Sequence, residues 1–287
     1  MEQLIVAEAV WHTYPNGIDA LRGVDLFINK QDYIALIGAN GSGKTTLVKH
    51  FNGLLRPTRG RVQVKGLDTR HVPSERLATI VGYTFQNPDH MLFSISIEEE
   101  VSFGPRNLKL PADEIKHLVD EALEVTGLSA FRKESPLFFG KGVRRMITIA
   151  SILSMRPEVL VIDEPTTGMD HRGRLAVMGL LDELSRRGHT IIIITHDMQI
   201  VTNRTRRTVV MHEGVIALDV PTTRLFEHEN ILARASLKPP QRIQLAQALK
   251  LTNAELPSVE ALSRYVEQCV SASSDRDKEA EEHAKSR

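Results

Sequence analysis

The stretch GANGSGKT (38–45) is the first part of the sequence whose residue types and spacing indicate a specific chemistry. It fits G-x-x-x-x-G-K-[ST] and directly follows the apolar run YIALI. Its glycines let the backbone aim successive N–H groups at phosphate oxygens, Lys44 adds a cation, and Thr45 offers a hydroxyl to Mg²⁺. A helix expected to start at Thr45 presents its positive end to the same point. A glycine-rich turn without a ligand is the alternative. The flanking strand and helix favour a nucleotide site made of Gly38, Asn40, Gly41, Ser42, Gly43, Lys44, Thr45 and Thr46.

Two adjacent carboxylates, Asp163 and Glu164, stand at the end of the apolar stretch VLVIDEP (159–165). Charges at such a point are penalised unless a cation or hydrogen bonds compensate them. Ligands of open α/β sheets bind at the carboxyl ends of strands. Asp163 therefore suits a partner of Mg²⁺, and Glu164 suits a base that orients the attacking water. An exposed acidic strand end is the alternative, which the phosphate loop disfavours. Together the two motifs define a P-loop NTPase.

A further strand-like stretch, TIIIITHD (190–197), carries His196 at its end. A lone histidine is more often structural than catalytic. His196 differs because it is expected at the same sheet edge as Asp163 and Glu164, where it is placed to contact a γ-phosphate.

The elements that position these residues follow an alternating pattern. YIALIG (33–38), VLVIDE (159–164) and TIIIITH (190–196) are rich in β-branched residues with little alternation, as is typical of parallel strands covered on both faces. Helical patterns separate them, which predicts an α/β fold with a mainly parallel sheet. Residues 4–30 instead predict antiparallel strands around the turn PNG (15–17).

The composition changes near Leu237, at LKPPQ. Two amphipathic helices are expected after this point. One runs from about residue 241 to 250, and the other places four residues on one face: Val259, Leu262, Val266 and Cys269. Residues 273–287 are polar and charged without an apolar face, which predicts a disordered tail.

The composition, the charge balance and the length of the apolar runs limit the possible classes of function. Over 287 residues, Lys+Arg and Asp+Glu are both 36, which argues against a whole-molecule electrostatic grip on nucleic acid. The single cysteine, Cys269, excludes an internal disulfide framework and suggests a reducing compartment. The longest apolar runs, VLVI (159–162) and IIII (191–194), are too short to span a bilayer. A membrane role is therefore expected to come through a partner.

The order of the phosphate loop, a glutamine loop, a signature helix, VLVIDEP, TTGMD (166–170) and ITHD resembles the ATPase subunit of ABC transporters. The resemblance covers about residues 1–235. It implies ATP and Mg²⁺ as cofactors, with Tyr14 stacked on the adenine, Gln86 reaching Mg²⁺ and the attacking water, and Asp170 in a loop that crosses to a second subunit. It also implies a P-loop fold of ABC type, with a parallel core, an antiparallel β subdomain and a helical subdomain at about 88–152.

A narrower resemblance is to the energy-coupling-factor subfamily and its cobalt- and nickel-uptake relatives. QNPDHMLFSISIEEEVSFGPRNLKL (86–110) carries it, and LKPPQRIQLAQAL (237–249) resembles that subfamily's C-terminal extension. A helical extension at 236–272 and a tail at 273–287 then follow the ATP-binding domain. The resemblance implies an ATPase that drives uptake of vitamins or transition-metal ions. It would work at the cytoplasmic face of the membrane with a second ATPase subunit, a transmembrane coupling subunit and a substrate-binding membrane subunit.

The signature itself departs from the family's Leu-Ser-Gly-Gly-Gln. When the paired arginines at 144 and 145 are aligned with the family's basic pair, FFGKG (138–142) falls on this motif. Phe139 then replaces serine, so that a bulky ring is expected where the opposite subunit's γ-phosphate should approach. Gly140 keeps the first glycine, Lys141 replaces the second, and Gly142 replaces glutamine. The degenerate signature favours a heterodimer, in which a partner's intact signature completes the site of this chain.

Three functions remain open at this stage. The first is an ATP-hydrolysing subunit of an uptake transporter. The second is a regulatory or structural subunit that binds ATP with little turnover, for which Phe139 argues and against which Glu164 and His196 argue. The third is a soluble ABC-type ATPase of translation or DNA repair, which usually carries two ATPase domains or a long coiled-coil insertion.

Overall fold

Two β-sheets organise the computed structural model, which describes residues 2–248 and residue 267. In chain order, the strands are β1 (Gln3–Thr13), β2 (Asp19–Asn29), β3 (Tyr33–Ile37), β4 (Arg59–Val64), β5 (Leu67–Asp68), β6 (Val81–Thr84), β7 (Val159–Asp163), β8 (Thr190–Ile194), β9 (Arg207–His212) and β10 (Val215–Pro221). The helices are α1 (Lys44–Phe51), α2 (Ser74–Ala78), α3 (Ile97–Asn107), α4 (Ala112–Val125), α5 (Lys141–Leu153), α6 (His171–Arg186), α7 (Met198–Arg204), α8 (Glu229–Arg234) and α9 (Gln241–Ala248). Short 3₁₀ turns occupy Pro88–His90, Ser129–Phe131, Pro136–Phe138 and Thr222–Glu227.

The larger sheet has the order β10-β9-β3-β8-β7-β6, and its strands are parallel except for β10. Every residue of β3, β7 and β8 is buried, because α1 and the smaller sheet cover one face of the larger sheet and helices that include α5 and α6 cover the other. The prediction of a mainly parallel core with these three strands is confirmed. Their carboxyl ends lie at one edge, where the phosphate loop, Asp163 and Glu164 follow.

The smaller sheet has the order β2-β1-β4-β5 and is antiparallel throughout. The predicted turn between its first two strands is confirmed: the Tyr14 N–H donates to the Ile18 carbonyl at 2.9 Å, and the Gly17 N–H donates to the Tyr14 carbonyl at 2.8 Å. This turn lines one cavity with the phosphate loop, and β2 is tied to the loop through Gly214: the Arg22 N–H donates to the Gly214 carbonyl at 2.8 Å, and the Gly214 N–H donates to the Ser42 carbonyl at 3.1 Å.

Helices α3, α4 and α5 share a separate apolar cluster that includes Ile97, Val101, Leu123 and Ile147. The start of α3 is fixed by Ser96, whose hydroxyl accepts from the Glu99 N–H at 3.3 Å. These helices form the helical part of the predicted ABC-type fold, while the boundary at 88–152 stays a prediction.

The beginning of the C-terminal extension packs on the core. Leu237 and Ile243 join an apolar cluster with Val201 of α7, Leu225 and Leu232. The predicted helix at 241–250 is present as α9 over Gln241–Ala248. The rest of that helix, the predicted second helix with its apolar face and the predicted tail lie outside the described residues, apart from residue 267. None of the described helices combines the length and the apolar composition needed to cross a bilayer.

Candidate active site

The phosphate loop connects β3 to α1, and two of its glycines are required by close backbone contacts. Gly38 has φ +146°, and a Cβ at this residue would lie 2.1 Å from the Met211 carbonyl oxygen. Gly43 caps α1 with φ +101°, and a Cβ here would lie 2.6 Å from the Ala20 carbonyl oxygen. Larger residues are excluded at both positions. The helix begins at Lys44, one residue earlier than the sequence predicts.

Lys44 lies half-buried at the mouth of this loop. Its Nζ donates to the Gly38 and Ala39 carbonyl oxygens, both at 2.8 Å, and to the Ser42 hydroxyl at 3.3 Å. Burial lowers the pKa of Lys44, and the nearby Glu164 and Asp163 carboxylates oppose this shift. The ammonium is therefore held between the loop and two acidic groups, at a point that suits a phosphate.

Asp163 is the last residue of β7 and is buried. Its Oδ2 accepts hydrogen bonds from the Thr45 hydroxyl at 3.2 Å and from the Tyr83 phenol at 3.1 Å. Burial raises the pKa of Asp163, and these two hydrogen bonds are the main opposing effect. Burial also raises the pKa of Tyr83, so the phenol stays a proton donor. The sequence predicts the meeting of Thr45 and Asp163 but gives no signal for Tyr83.

Glu164 and His196 are brought together as the sequence predicts. Glu164 Oε1 accepts from His196 Nδ1 at 2.7 Å, and Glu164 Oε2 accepts from the Thr167 hydroxyl at 3.2 Å. The His196 side chain is 73% exposed, whereas the Glu164 side chain is 12% exposed. Glu164 has the left-handed φ of +48°, which is uncommon for a residue other than glycine. Thr167 is a contact that sequence reasoning misses.

A cavity of about 550 Å³ opens beside these groups. Most of the predicted nucleotide-site residues line it: Tyr14, Asn40, Gly41, Gly43, Lys44, Thr45, Thr46, Gln86, Asp163 and Glu164. Three predicted residues lie outside the lining but bond to residues within it, namely Gly38, Ser42 and His196. The β1–β2 turn and the start of β2 add wall residues that sequence reasoning misses, namely Asn16, Ile18, Asp19 and Ala20.

Tyr14 contacts Thr46 and His12, and the buried His50 contacts both of these residues. Its hydroxyl lies 3.0 Å from the Thr46 hydroxyl, and its ring meets the His12 ring edge-on at 4.7 Å. His50 Nδ1 donates to the Thr46 carbonyl at 2.7 Å, and its Nε2 lies 3.2 Å from His12 Nδ1. His50 is fully buried, and burial lowers its pKa to about 4, so the ring is neutral at pH 7.

The family model described as ABC transporter matches residues 21–167, about half of the chain. The chain belongs to the ABC transporter family. A protein of Caldanaerobacter subterraneus subsp. tengcongensis, named as an ABC transporter ATP-binding protein, is 44% identical over 249 residues. The match covers 87% of this chain and 44% of that protein, so the chain spans less than half of this relative's length.

Two further relatives narrow the resemblance. The energy-coupling factor transporter ATP-binding protein EcfA of Methanothermobacter thermautotrophicus is 37% identical, over 85% of this chain and 79% of that protein. The structure of cbiO1 from Clostridium perfringens, part of the ABC transporter complex cbiONQ, has a TM-score of 0.74 and 33% identity. The match covers 88% of this chain and 100% of the cbiO1 chain. The predicted ABC-type fold is therefore confirmed.

The start of α5 is the region in which the sequence predicts a degenerate ABC signature. The helix begins at Lys141 with Gly140 as its N-cap, and no side chain caps it. The Phe139 ring packs against the Phe131 ring at 5.4 Å and joins the helical cluster. Phe138 is the exposed ring, at 83%. The Phe139 ring therefore packs into the helical subdomain, and its position at the phosphate approach of an opposite subunit stays a prediction.

The remaining predicted partner-site residues lie near this helix start. A Cβ on Gly168 would lie 3.0 Å from Lys141 Nζ, so the lysine covers the loop that leads to α6. A Cβ on Gly142 would lie 3.3 Å from the Gly173 Cα, because the starts of α5 and α6 approach closely. Asp170 caps α6 by accepting from the Gly173 N–H at 2.8 Å. None of the predicted partner-site residues lines the cavity.

Proposed function

We propose that this chain is the ATP-hydrolysing subunit of an energy-coupling-factor-type importer. The observation that carries the proposal is the Glu164–His196 pair, 2.7 Å apart, beside Lys44 and the Thr45–Asp163 pair at the carboxyl edge of the sheet. The likeness to the EcfA protein and to cbiO1 supports the transporter class. The substrate class, vitamins or transition-metal ions, follows from the resemblance alone, since substrate recognition would lie in a membrane subunit.

Each part of ATP has a matching group in the cavity. The ring of Tyr14 is proposed to stack on the adenine, since it lines the cavity close to α1. The loop N–H groups and Lys44 bind the phosphates. Glu164 is proposed to act as the base that orients water, because its carboxylate lines the same cavity as Lys44 and the phosphate loop. When both nitrogens of His196 carry protons, Nδ1 donates to Glu164 and Nε2 can donate to the γ-phosphate.

The residues proposed for Mg²⁺ fit this ion. Asp163 offers a buried carboxylate beside the Thr45 hydroxyl, and Gln86 lines the same cavity with an amide oxygen. Hard divalent cations prefer such oxygen ligands. Burial raises the pKa of Asp163, and a nearby cation would favour its charged form. Mg²⁺ bound there would neutralise phosphate charge during hydrolysis.

An exposed aromatic patch is the proposed contact to the transmembrane coupling subunit. Phe93 and Ile95 are 65% and 78% exposed, and the Phe93 ring packs edge-on against Phe103 at 4.7 Å. The patch lies within the 86–110 stretch that resembles the subfamily. Phe103 is also exposed, so the two rings form one contiguous apolar surface, and such patches mark interaction sites more often than single exposed side chains do. The chain is therefore proposed to be peripheral at the cytoplasmic face, in a complex that also holds the substrate-binding membrane subunit and no nucleic acid.

A cysteine cross-linking experiment tests this placement. The native thiol is first removed as Cys269→Ser, and single cysteines are introduced as Phe93→Cys or Asp89→Cys. Val215→Cys is the matched control, because Val215 begins the strand at the opposite edge of the larger sheet. Cross-links to a membrane protein from positions 93 and 89, but not from 215, are expected. Cross-links to soluble proteins alone would contradict a transport role.

The second ATPase subunit is proposed to be a different chain. In the alignment based on the paired arginines, Phe139 takes the place of the serine and Lys141 takes the place of the second glycine, so the signature of this chain lacks the serine hydroxyl. A partner with an intact signature would complete the cavity of this chain. Each heterodimer would then contain one site that is competent for ATP hydrolysis.

A second candidate is an ATP-binding subunit with little turnover. The start of α5 favours it, because no side chain caps the helix at the place of the signature.

A measurement of phosphate release distinguishes the two functions. The full-length chain is assayed alone and as the complex that co-purifies from native membranes. We expect MgATP binding by the chain alone and fast hydrolysis only by the complex. Binding without hydrolysis in the intact complex would favour the second candidate, and full activity of the chain alone would contradict the heterodimer. A soluble ABC-type ATPase would co-purify with no membrane protein.

A further inference from the structure

Arg145 is the largest fully buried side chain in the part of the chain that the structure describes. It lies in α5, four residues after the first residue of the helix, and is 1% exposed. Charged side chains are almost never buried to this extent unless they are paired. The function proposed above uses no property of this residue.

The guanidinium of Arg145 joins two segments that both carry site residues. Its Nη1 donates to the Phe85 carbonyl at 2.6 Å, and its Nη2 donates to the Gln86 carbonyl at 2.5 Å. Nη2 also donates to the Glu164 carbonyl at 3.3 Å. The first two carbonyls follow β6 and the third follows β7, so one rigid fork spans the ends of two neighbouring strands.

The contact to Glu164 matters because the backbone of this residue is strained. Glu164 has a left-handed φ of +48°, which is unfavourable for a residue with a Cβ and persists only where the surroundings fix it. The Glu164 N–H donates to the Ile194 carbonyl at 2.8 Å, and its carbonyl accepts from Arg145. The peptide groups on both sides of the Glu164 Cα are thus tied down, which aims the carboxylate at His196.

The positive charge of Arg145 is compensated by the carboxylates of the site that it supports. Burial lowers its pKa to about 10, while Asp163 and Glu164 are the main groups that favour its charged form. At neutral pH the side chain is a cation held behind the two carboxylates.

We propose that Arg145 is a positioning residue for hydrolysis: by holding the carbonyls of Phe85, Gln86 and Glu164, it fixes the base and the glutamine loop relative to each other. The inference rests on the proposed ATPase function. It assigns Arg145 no contact with nucleotide.

The test compares Arg145→Gln, which removes the charge and the fork, with Arg145→Lys, which keeps the charge. The matched control is Arg207→Lys. Arg207 also bridges segments with a partly buried guanidinium, donating to the Phe27 carbonyl and to Asp32 Oδ2, both at 2.9 Å. It begins β9, which lies next to the edge strand β10 and is separated from β7 and β6 by β3 and β8. All variants are made in the full-length chain and assayed in the complex that co-purifies with it.

We expect the Kd for MgATP to stay within about threefold in all variants. The kcat should fall about 10- to 100-fold in Arg145→Gln, since misplacement of the reacting groups by about 1 Å costs on this order. Arg145→Lys should recover part of the loss, and Arg207→Lys should keep kcat within about twofold. Unchanged kcat in folded Arg145→Gln would overturn the proposal, as would an equal loss in Arg207→Lys. Failure of both Arg145 variants to fold would also overturn it, because the role would then be structural alone.

Hydrogen exchange separates this inference from the proposed function, since it requires no turnover. Arg145→Gln should speed amide exchange of residues 85–91 about tenfold, whereas Arg207→Lys should leave this segment unchanged. If the wild-type complex releases no phosphate but the exchange result is as expected, the ATPase proposal fails while the positioning contact stands. Unchanged exchange in an active complex overturns the inference alone.

Discussion

The cavity at the carboxyl edge of the larger sheet and the start of α5 differ in how completely they are built. Around the cavity, Asp163, Glu164 and His196 each have hydrogen-bond partners from other elements, and Gly38 and Gly43 are fixed by backbone contacts. At the start of α5, Gly140 caps the helix without a side chain and Phe138 is exposed.

This difference separates the cavity, whose residues are held within this chain, from the signature, which would act only together with a second subunit. The groups that we propose bind and hydrolyse a nucleotide are held by contacts within one chain. In the proposed heterodimer, the signature would act on the nucleotide of the other subunit, so its loss leaves the cavity of this chain intact. One half of a composite site can therefore degenerate while the other half stays complete.

The largest expected effect is the loss of turnover in Glu164→Gln, measured as phosphate release by the complex. The amide keeps the shape of the side chain but cannot act as a base, and general-base catalysis is worth roughly 10²–10⁴ in rate. We expect kcat to fall about 10³-fold with ATP binding retained. Glu183→Gln is the control, because Glu183 pairs with Arg187 on the surface of α6. A wild-type kcat in Glu164→Gln would contradict the comparison between the complete cavity and the degenerate signature, because the catalytic base would then lie outside the cavity of this chain.

The next effect is the loss of nucleotide affinity in Lys44→Ala, measured by calorimetry. The variant removes charge-assisted hydrogen bonds to phosphate, each worth about 1.5–3 kcal/mol, so the Kd should rise at least about 100-fold. Lys49→Ala, on the same helix but outside the cavity lining, should leave the Kd unchanged. Equal affinities of both variants would contradict the site.

A smaller effect is expected from pH, because His50 is buried neutral behind Tyr14. Its pKa is about 4 in the folded chain and about 6.5 when exposed, so the unfolded chain binds more protons between these values. Its contribution to stability is complete above pH 6.5 and is lost as pH falls through 4, by up to about 3 kcal/mol.

The variant His50→Asn should flatten this part of the pH profile in denaturant unfolding. His71→Asn, at an exposed position, should leave the profile as in the wild type. A wild-type slope in His50→Asn would assign the acid sensitivity to other groups.

The smallest effect is expected from Gly140→Ser. A Cβ at Gly140 meets nothing within 4 Å, so serine fits and can cap α5, which should stabilise the chain by only a few tenths of a kcal/mol. Activity of the complex should change by less than about threefold, because the competent site uses the partner's signature. Phe139→Ser with Lys141→Gly should also leave activity little changed. A tenfold fall in either variant, with the thermal unfolding and the complex assembly of the wild type retained, would show that FFGKG works as it stands.

The sequence predicts those parts of the site that adjacent residues determine. The phosphate loop, the Asp163–Glu164 pair and the three central strands depend on local spacing and on runs of β-branched residues, and the structure places them as expected. Tyr83 and Arg145 escape prediction because their partners are chosen by the pairing of β6 with β7 and by the approach of α5, which no local pattern encodes. The orientation of Phe139 depends on packing against Phe131 in the same way.

The cluster that joins Leu237 and Ile243 to α7 bears on where the protein can be shortened. A chain ending at residue 235, the boundary suggested by family resemblance, would leave the facing side chains of Val201, Leu225 and Leu232 without their cover. Newly exposed apolar surface of this kind promotes aggregation. A truncated form that includes α9 should therefore be the more soluble of the two, because residues 237 and 243 pack on the core of the ATP-binding domain.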